Sequence, residues 1–233
     1  MTEERKDATT AISGNAAAAS VGRADLSTKS HLTSALLLGA RAHAESLWKL
    51  GQLDPVPDAL QFMAFGASAV VAAAASLEAA GNEIINEMLD EPHAQAYSEE
   101  QRYQLRRLRD GQGNAVKKLG GLAKLKGAQG VSLGGRRYQH AAHLVELRNA
   151  VMHFKPAWST DVVHTDDTPK FLDAIGRARH YLGEPNYPVG YLDYPVARWA
   201  VQVVCDVIDD FCPKIGVRDW LGRPGTDYSL PRP

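Results

Sequence analysis

From about Ser30 to Leu50, apolar positions recur at steps of three and four: Leu32, Leu36, Leu37, Ala40, Ala44, Leu47 and Trp48. That is the repeat of one helix face, so the spacing predicts an amphipathic helix that Gly51 ends. Pro55, Pro57 and Asp58 form a start signal for a second helix over Ala59 to Leu89, apolar almost all round in its first half and stopped at Glu91-Pro92. A helix of that kind is central, and its many alanines and glycines let neighbours approach closely. Ser98, with Gln101 three residues on, opens a charged helix to about Arg109. A short helix is predicted over Asn114 to Leu125, then a flexible loop marked by Gly127, Gly130, Gly134 and Gly135.

A further helix is expected over about Tyr138 to Phe154, with Leu144, Leu147, Val151 and Phe154 on one face and Pro156 forbidding continuation. A weaker helix is read over Thr168 to Tyr181, then a loop with Pro185, Pro188 and Gly190. The last long helix is read over Pro195 to Phe211 on the stripe Trp199, Val203, Val207, Phe211. Residues 1–28 have no apolar period and read as a disordered arm, 29–213 as one helical domain, and 214–233 as an extended tail with Trp220, Pro224 and Gly225. The expected fold is an all-α, up-down bundle of four to six helices; no internal repeat is visible.

Composition agrees: 45% of the 233 residues are hydrophobic and only 7% aromatic, which favours close-packed helices over sheets. The net charge of -1 supplies no overall pull towards nucleic acid or an anionic membrane, so such binding needs a local patch. Residues 100–126 offer one, in Arg102, Arg106, Arg107, Arg109, Lys117, Lys118, Lys124 and Lys126; the plain alternative is a solvated helical face. Cys205 and Cys212 lie seven apart in one helix, roughly 10 Å by helical rise, too far for a disulfide, which suggests buried thiols in a reducing, cytoplasmic setting. The N-terminus lacks the apolar core of a secretion signal, and Ala59 to Leu77, although uncharged, is too weakly apolar to be read as a membrane span.

The chemistry-bearing segment is Leu147-Arg148-Asn149-Ala150-Val151-Met152-His153-Phe154. An Arg and a His at this spacing mean little alone, and Arg136 or Arg137 with His143 nearly fit a looser version. Context favours Arg148, because Arg, Asn and His stand in an apolar helical run expected to face the bundle, where polar groups need partners. Asn149 and His153 are one turn apart, and Arg148 is long enough to reach the same groove. Glu78 and Asn82 are likewise one turn apart on the second helix.

An Arg, an Asn, three variable residues and a His near a helix end resemble the signature helix of the HEPN family of ribonucleases and RNA-binding proteins, and Ser76 to Glu83 is similar to the polar patch opposite it. The resemblance implies a bundle over about residues 30–213, a homodimer formed through the signature helix, and metal-independent RNA cleavage by attack of the ribose 2′-OH on the adjacent phosphate. In that chemistry His153 moves the proton, Arg148 offsets charge on the phosphoryl oxygens, Asn149 holds His153 or the phosphate, and Glu78 orients Arg148. Asn82, Lys155, Arg102, Arg106, Arg107, Lys117 and Lys118 are the expected RNA contacts. Lys155 stands where members paired with nucleotidyltransferase antitoxins tend to carry Tyr, which speaks against that inhibition, although an antitoxin or regulatory protein stays among the expected partners of a toxin or phage-defence enzyme. The alternative is a non-catalytic RNA-binding or protein-interaction module, or an Arg and His that are only satisfied core and cap groups. His140 and His143 lack a third ligand, so neither a metal nor another cofactor is expected.

Overall fold

The computed structural model describes residues 32–54, 58–91, 93–111, 113–153, 189–217 and 228–232. They form six α-helices, with no strand among them: α1 (Leu32–Leu50), α2 (Ala59–Leu89), α3 (Glu99–Asp110), α4 (Ala115–Leu125), α5 (Arg136–Met152) and α6 (Tyr194–Lys214). The arm over 1–28, the helix read over Thr168 to Tyr181, Phe154, Lys155, Pro156, and the tail positions Trp220, Pro224 and Gly225 lie outside the described residues.

Helix α2 has the length and hydropathy of a membrane span, and in this fold it packs against each of the other five helices. Val70, Ala73, Leu77, Ala80, Ile84 and Ile85 form its buried spine. Around them the core takes Leu37 and Ala40 from α1, Leu105 from α3, Leu119 and Leu122 from α4, Leu144 and Leu147 from α5, and Val204, Val207 and Phe211 from α6. A smaller cluster of Ala44, Leu47, Phe62, Ala69, Tyr194 and Ala197 joins α1, α2 and α6, with Leu230 laid against it.

The sequence signals at helix ends act as expected in α3 and α4. Ser98 Oγ accepts from the Gln101 amide at 3.2 Å while Gln101 Oε1 accepts from the Ser98 amide at 2.9 Å, a reciprocal capping box. Asn114 caps α4 through Lys117 N–H at 3.0 Å. At the other end, α4 and α6 close alike. Gly127 and Gly216 take φ of 60° and 76°, and the next amide reaches back to Ala123 or Cys212, satisfying otherwise orphan carbonyls. This closure carries α6 past the expected stop at Phe211, leaving Pro213 inside the last turn.

The first helix departs from its apolar pattern. Leu32 is 55% exposed and Thr33 is fully buried in its place. The cause lies in α2: Glu83 accepts from Thr33 N–H at 3.0 Å and from Thr33 Oγ1 at 2.8 Å, and Ser76 Oγ donates to Thr33 O at 2.9 Å. A carboxylate from a neighbouring helix thus caps α1, where free amides and the helix dipole favour negative charge.

Candidate functional site

The buried stripe of α5 is Tyr138, Ala141, Leu144 and Leu147, at steps of three. Helical geometry turns about 100° per residue, so Arg148 and His153, five apart, point roughly 140° away from each other around the axis. Arg148 is half-buried beside the stripe; Asn149 and His153 are exposed. The expectation that all three face the bundle interior is therefore corrected for Asn149 and His153, because they fall outside the arc that Leu144 and Leu147 bury.

Arg148 Nη1 donates to Asn149 Oδ1 at 3.0 Å, so the Asn side chain holds the Arg rather than the His. His153 is the capping residue of α5: its backbone N–H donates to Asn149 O at 2.9 Å, and its φ of -111° and ψ of 23° leave the helix. Its imidazole stands in solvent one turn beyond Asn149. Glu78 is half-buried on α2, and among the described residues no ion pair joins it to Arg148.

Asn82 is engaged elsewhere. Its Oδ1 accepts from Lys118 Nζ at 2.8 Å, linking α2 to α4. Lys118 is only 5% exposed and also approaches Arg109 O at 3.5 Å, so it is a structural lysine and not an RNA contact; α4 turns it inward with Leu119 and Leu122. The other basic positions fit a surface role: Arg106, Arg107 and Lys117 are exposed and Arg102 half-buried. Arg102, Arg106 and Arg109 recur at four and three along α3, a single stripe, whereas Arg107 lies on another side. Arg109 is paired with Asp110 at 2.8 Å, and each holds the other's charge: the carboxylate raises the guanidinium above its ordinary value, and the hydrogen bond from Arg109 lowers Asp110. Lys126 donates to Tyr97 Oη at 2.8 Å.

A second region was not singled out by motif. Between the first turns of α5 and the middle of α6 lies a half-open cavity of about 360 Å³ lined by Arg136, Arg137, His140, Val203 and Asp206. The ring of His140 stands 6.2 Å from that of Trp199. Burial, then Arg136 and His143, lowers the pKa of His140, against a smaller opposite pull from Asp206. The signal was present as spacing, Arg136 with His140 on α5 and Trp199, Val203, Asp206 on α6, but only packing shows that the two faces meet. No group of three or more His, Cys, Asp or Glu among the described residues is placed to hold a metal.

Both cysteines are free thiols, Cys212 buried and Cys205 half-buried. Burial, with Asp209 nearby, pushes each up to about 12, which keeps them protonated and unreactive at neutral pH. Compared with protein-family models, with curated proteins and with solved structures, the chain matches none.

Proposed function

We propose that the C-terminal end of α5 is an RNA-phosphate site and that the protein is a HEPN-type, metal-independent endoribonuclease acting in the cytoplasm as a toxin or defence factor. The observation that carries this reading is the state of Arg148 and His153. Among the described residues Arg148 donates only to the neutral Asn149, and His153 is exposed, so neither a charge nor a proton carrier is consumed by the bundle. A permanently charged planar donor and an imidazole that can carry a proton are the two groups that 2′-OH attack on a phosphodiester needs.

Because the two side chains diverge around one helix, a second copy docked along α5 completes the site, one protomer's Arg148 facing the partner's imidazole across the phosphate. The exposed residues Arg106, Arg107 and Lys117, with the half-buried Arg102, guide the RNA backbone towards it.

The same divergence, with Glu78 unpaired to Arg148, favours a second reading in which the chain binds RNA without cutting it. One experiment separates them: incubation of the full chain with single-stranded RNA in EDTA, beside binding measured by fluorescence anisotropy. Cleavage lost in His153→Ala and Arg148→Ala with binding retained supports the nuclease. Binding without cleavage in the wild type supports the second reading, and undiminished cleavage by His153→Ala overturns the first. Growth arrest on expression of wild type, absent for His153→Ala, tests the toxin role.

A further inference from the structure

The cavity between α5 and α6 lies at the opposite end of α5 from His153. Thirteen residues separate His140 from His153, about 20 Å of helical rise, so the cavity is a separate place on the molecule. Its volume, about 360 Å³, is near the lower end of small-ligand pockets.

Its walls differ in charge. On the α5 side, Arg136 is exposed and forms no ion pair among the described residues, and the helix it opens is capped by Gly135 without a side-chain hydrogen bond; Tyr138 N–H donates to Gly135 O at 3.0 Å, which leaves the Arg136 and Arg137 amides as the first-turn donors without an acceptor among the described residues. Arg137 is already committed to Asp210. On the α6 side, Asp206 accepts the Gln202 amide at 2.8 Å through one carboxylate oxygen. Among the described residues the other oxygen takes no hydrogen bond. His140 lies within electrostatic reach of both Arg136 and Asp206, with Val203 as apolar floor and its ring near Trp199.

A plain anion is a poor occupant, because Asp206 repels it. A ligand with an anionic group at one end, a flat apolar-faced ring, and an amine donor at the other satisfies all three walls. We propose that this cavity binds a nucleotide: phosphate on Arg136 and the first turn of α5, base against the His140 ring, and an exocyclic amine donating to Asp206. Stacking on an aromatic ring tolerates any base, so the selectivity comes from Asp206. Adenine, cytosine and guanine present exocyclic amines, whereas uracil has none and its ring N–H is flanked by two carbonyl oxygens that a carboxylate repels. Binding in this cavity does not require cleavage at His153. The same chemistry is offered by a free nucleotide and by one unit of an RNA chain.

The test is calorimetric titration of the full chain with AMP, CMP, UMP, inorganic phosphate and an adenosine trinucleotide. Saturable binding of AMP and CMP is expected, at least tenfold tighter than UMP or phosphate. Arg136→Ala should weaken AMP at least tenfold, and Asp206→Asn should erase the difference between AMP and UMP. Trinucleotide tighter than AMP identifies an RNA unit as the source, and the reverse order a free nucleotide. Absence of saturable binding, phosphate binding as tightly as AMP, or an unchanged affinity in an Arg136→Ala variant with wild-type circular dichroism overturns the proposal.

Discussion

The ammonium of Lys118 lies inside the protein with its Nζ 2.8 Å from Oδ1 of Asn82. A buried donor that loses its acceptor carries its desolvation cost uncompensated. Asn82→Ala is therefore expected to lower stability by about 1–3 kcal/mol, and Lys118→Met to cost less. The Lys118→Met/Asn82→Leu pair should be more stable than the sum of the single changes implies. Urea midpoints of the four proteins check this, and strict additivity would show that the contact carries no energy.

Asp193 caps α6 by accepting from Val196 N–H at 3.1 Å, is 6% exposed, and its Oδ2 has no hydrogen-bond partner among the described residues. Burial pushes its carboxyl up to about 6. The folded state then holds a proton that the unfolded chain, with an ordinary value near 3.9, releases earlier. The contribution of Asp193 to stability is greatest below about pH 4, falls as pH rises to about 6, and is flat above. Asn caps a helix as well as Asp does, so Asp193→Asn should remove that slope. Thermal denaturation between pH 4 and 7 reads it directly; an unchanged slope assigns the pH dependence to other groups.

Asp210 shows the opposite sign. Burial pushes its carboxyl up, but Lys214 Nζ at 2.7 Å, Tyr138 Oη at 3.2 Å and the Arg137 guanidinium together hold it below the ordinary range. Its contribution is present above the unfolded value and is lost as pH falls through the lower folded one. Asp210→Asn should cost about 1–2 kcal/mol at pH 7, given the partial exposure of Arg137 and Lys214, and almost nothing at pH 2. Parallel denaturant curves at the two pH values provide the measurement.

Gly66 lets the turn before α6 approach α2: a Cβ there would stand 2.1 Å from the carbonyl oxygen of Leu192. Backbone cannot move aside as a side-chain tip can. Gly66→Ala is expected to cost roughly 1–3 kcal/mol by overpacking, whereas Gly39→Ala on α1, where nothing lies within 4 Å, should be neutral or stabilising. Equal melting temperatures for the two variants would contradict the close approach.

How far the sequence could be read follows from the range of the forces involved. Helix α2 was legible to its end residues, and Ser98 and Asn114 as caps, because those signals act within a turn. Leu32 and Thr33 exchanged roles because the deciding group, Glu83, is 50 residues away in the chain. Lys118 departs from the surface role its neighbours suggest for a related reason: its acceptor Asn82 lies on another helix, and a lysine in a basic run gives no local sign that it turns inward. At the α5 end the residue types were legible, but the angular separation of Arg148 from Asn149 and His153 depends on which arc the core buries. The Arg136, His140 and Asp206 cavity needed two helices to meet before it existed.

Arg41 on α1 donates through Nε to the carbonyl of Ser229 at 3.2 Å, a contact spanning 188 residues, and Tyr194 Oη donates to the carbonyl of Pro231 close by. During synthesis this clasp cannot form until the ribosome has made that later stretch, so any pairing of α1 with α2 before then leaves one flank of α1 uncovered. At about 5–20 residues per second, the nascent hairpin waits on the order of ten seconds or more for its last partner. In that interval Leu47 and Phe62 depend on one another for shelter, and the pace of translation, rather than the intrinsic speed of helix packing, sets when the smaller cluster is sealed.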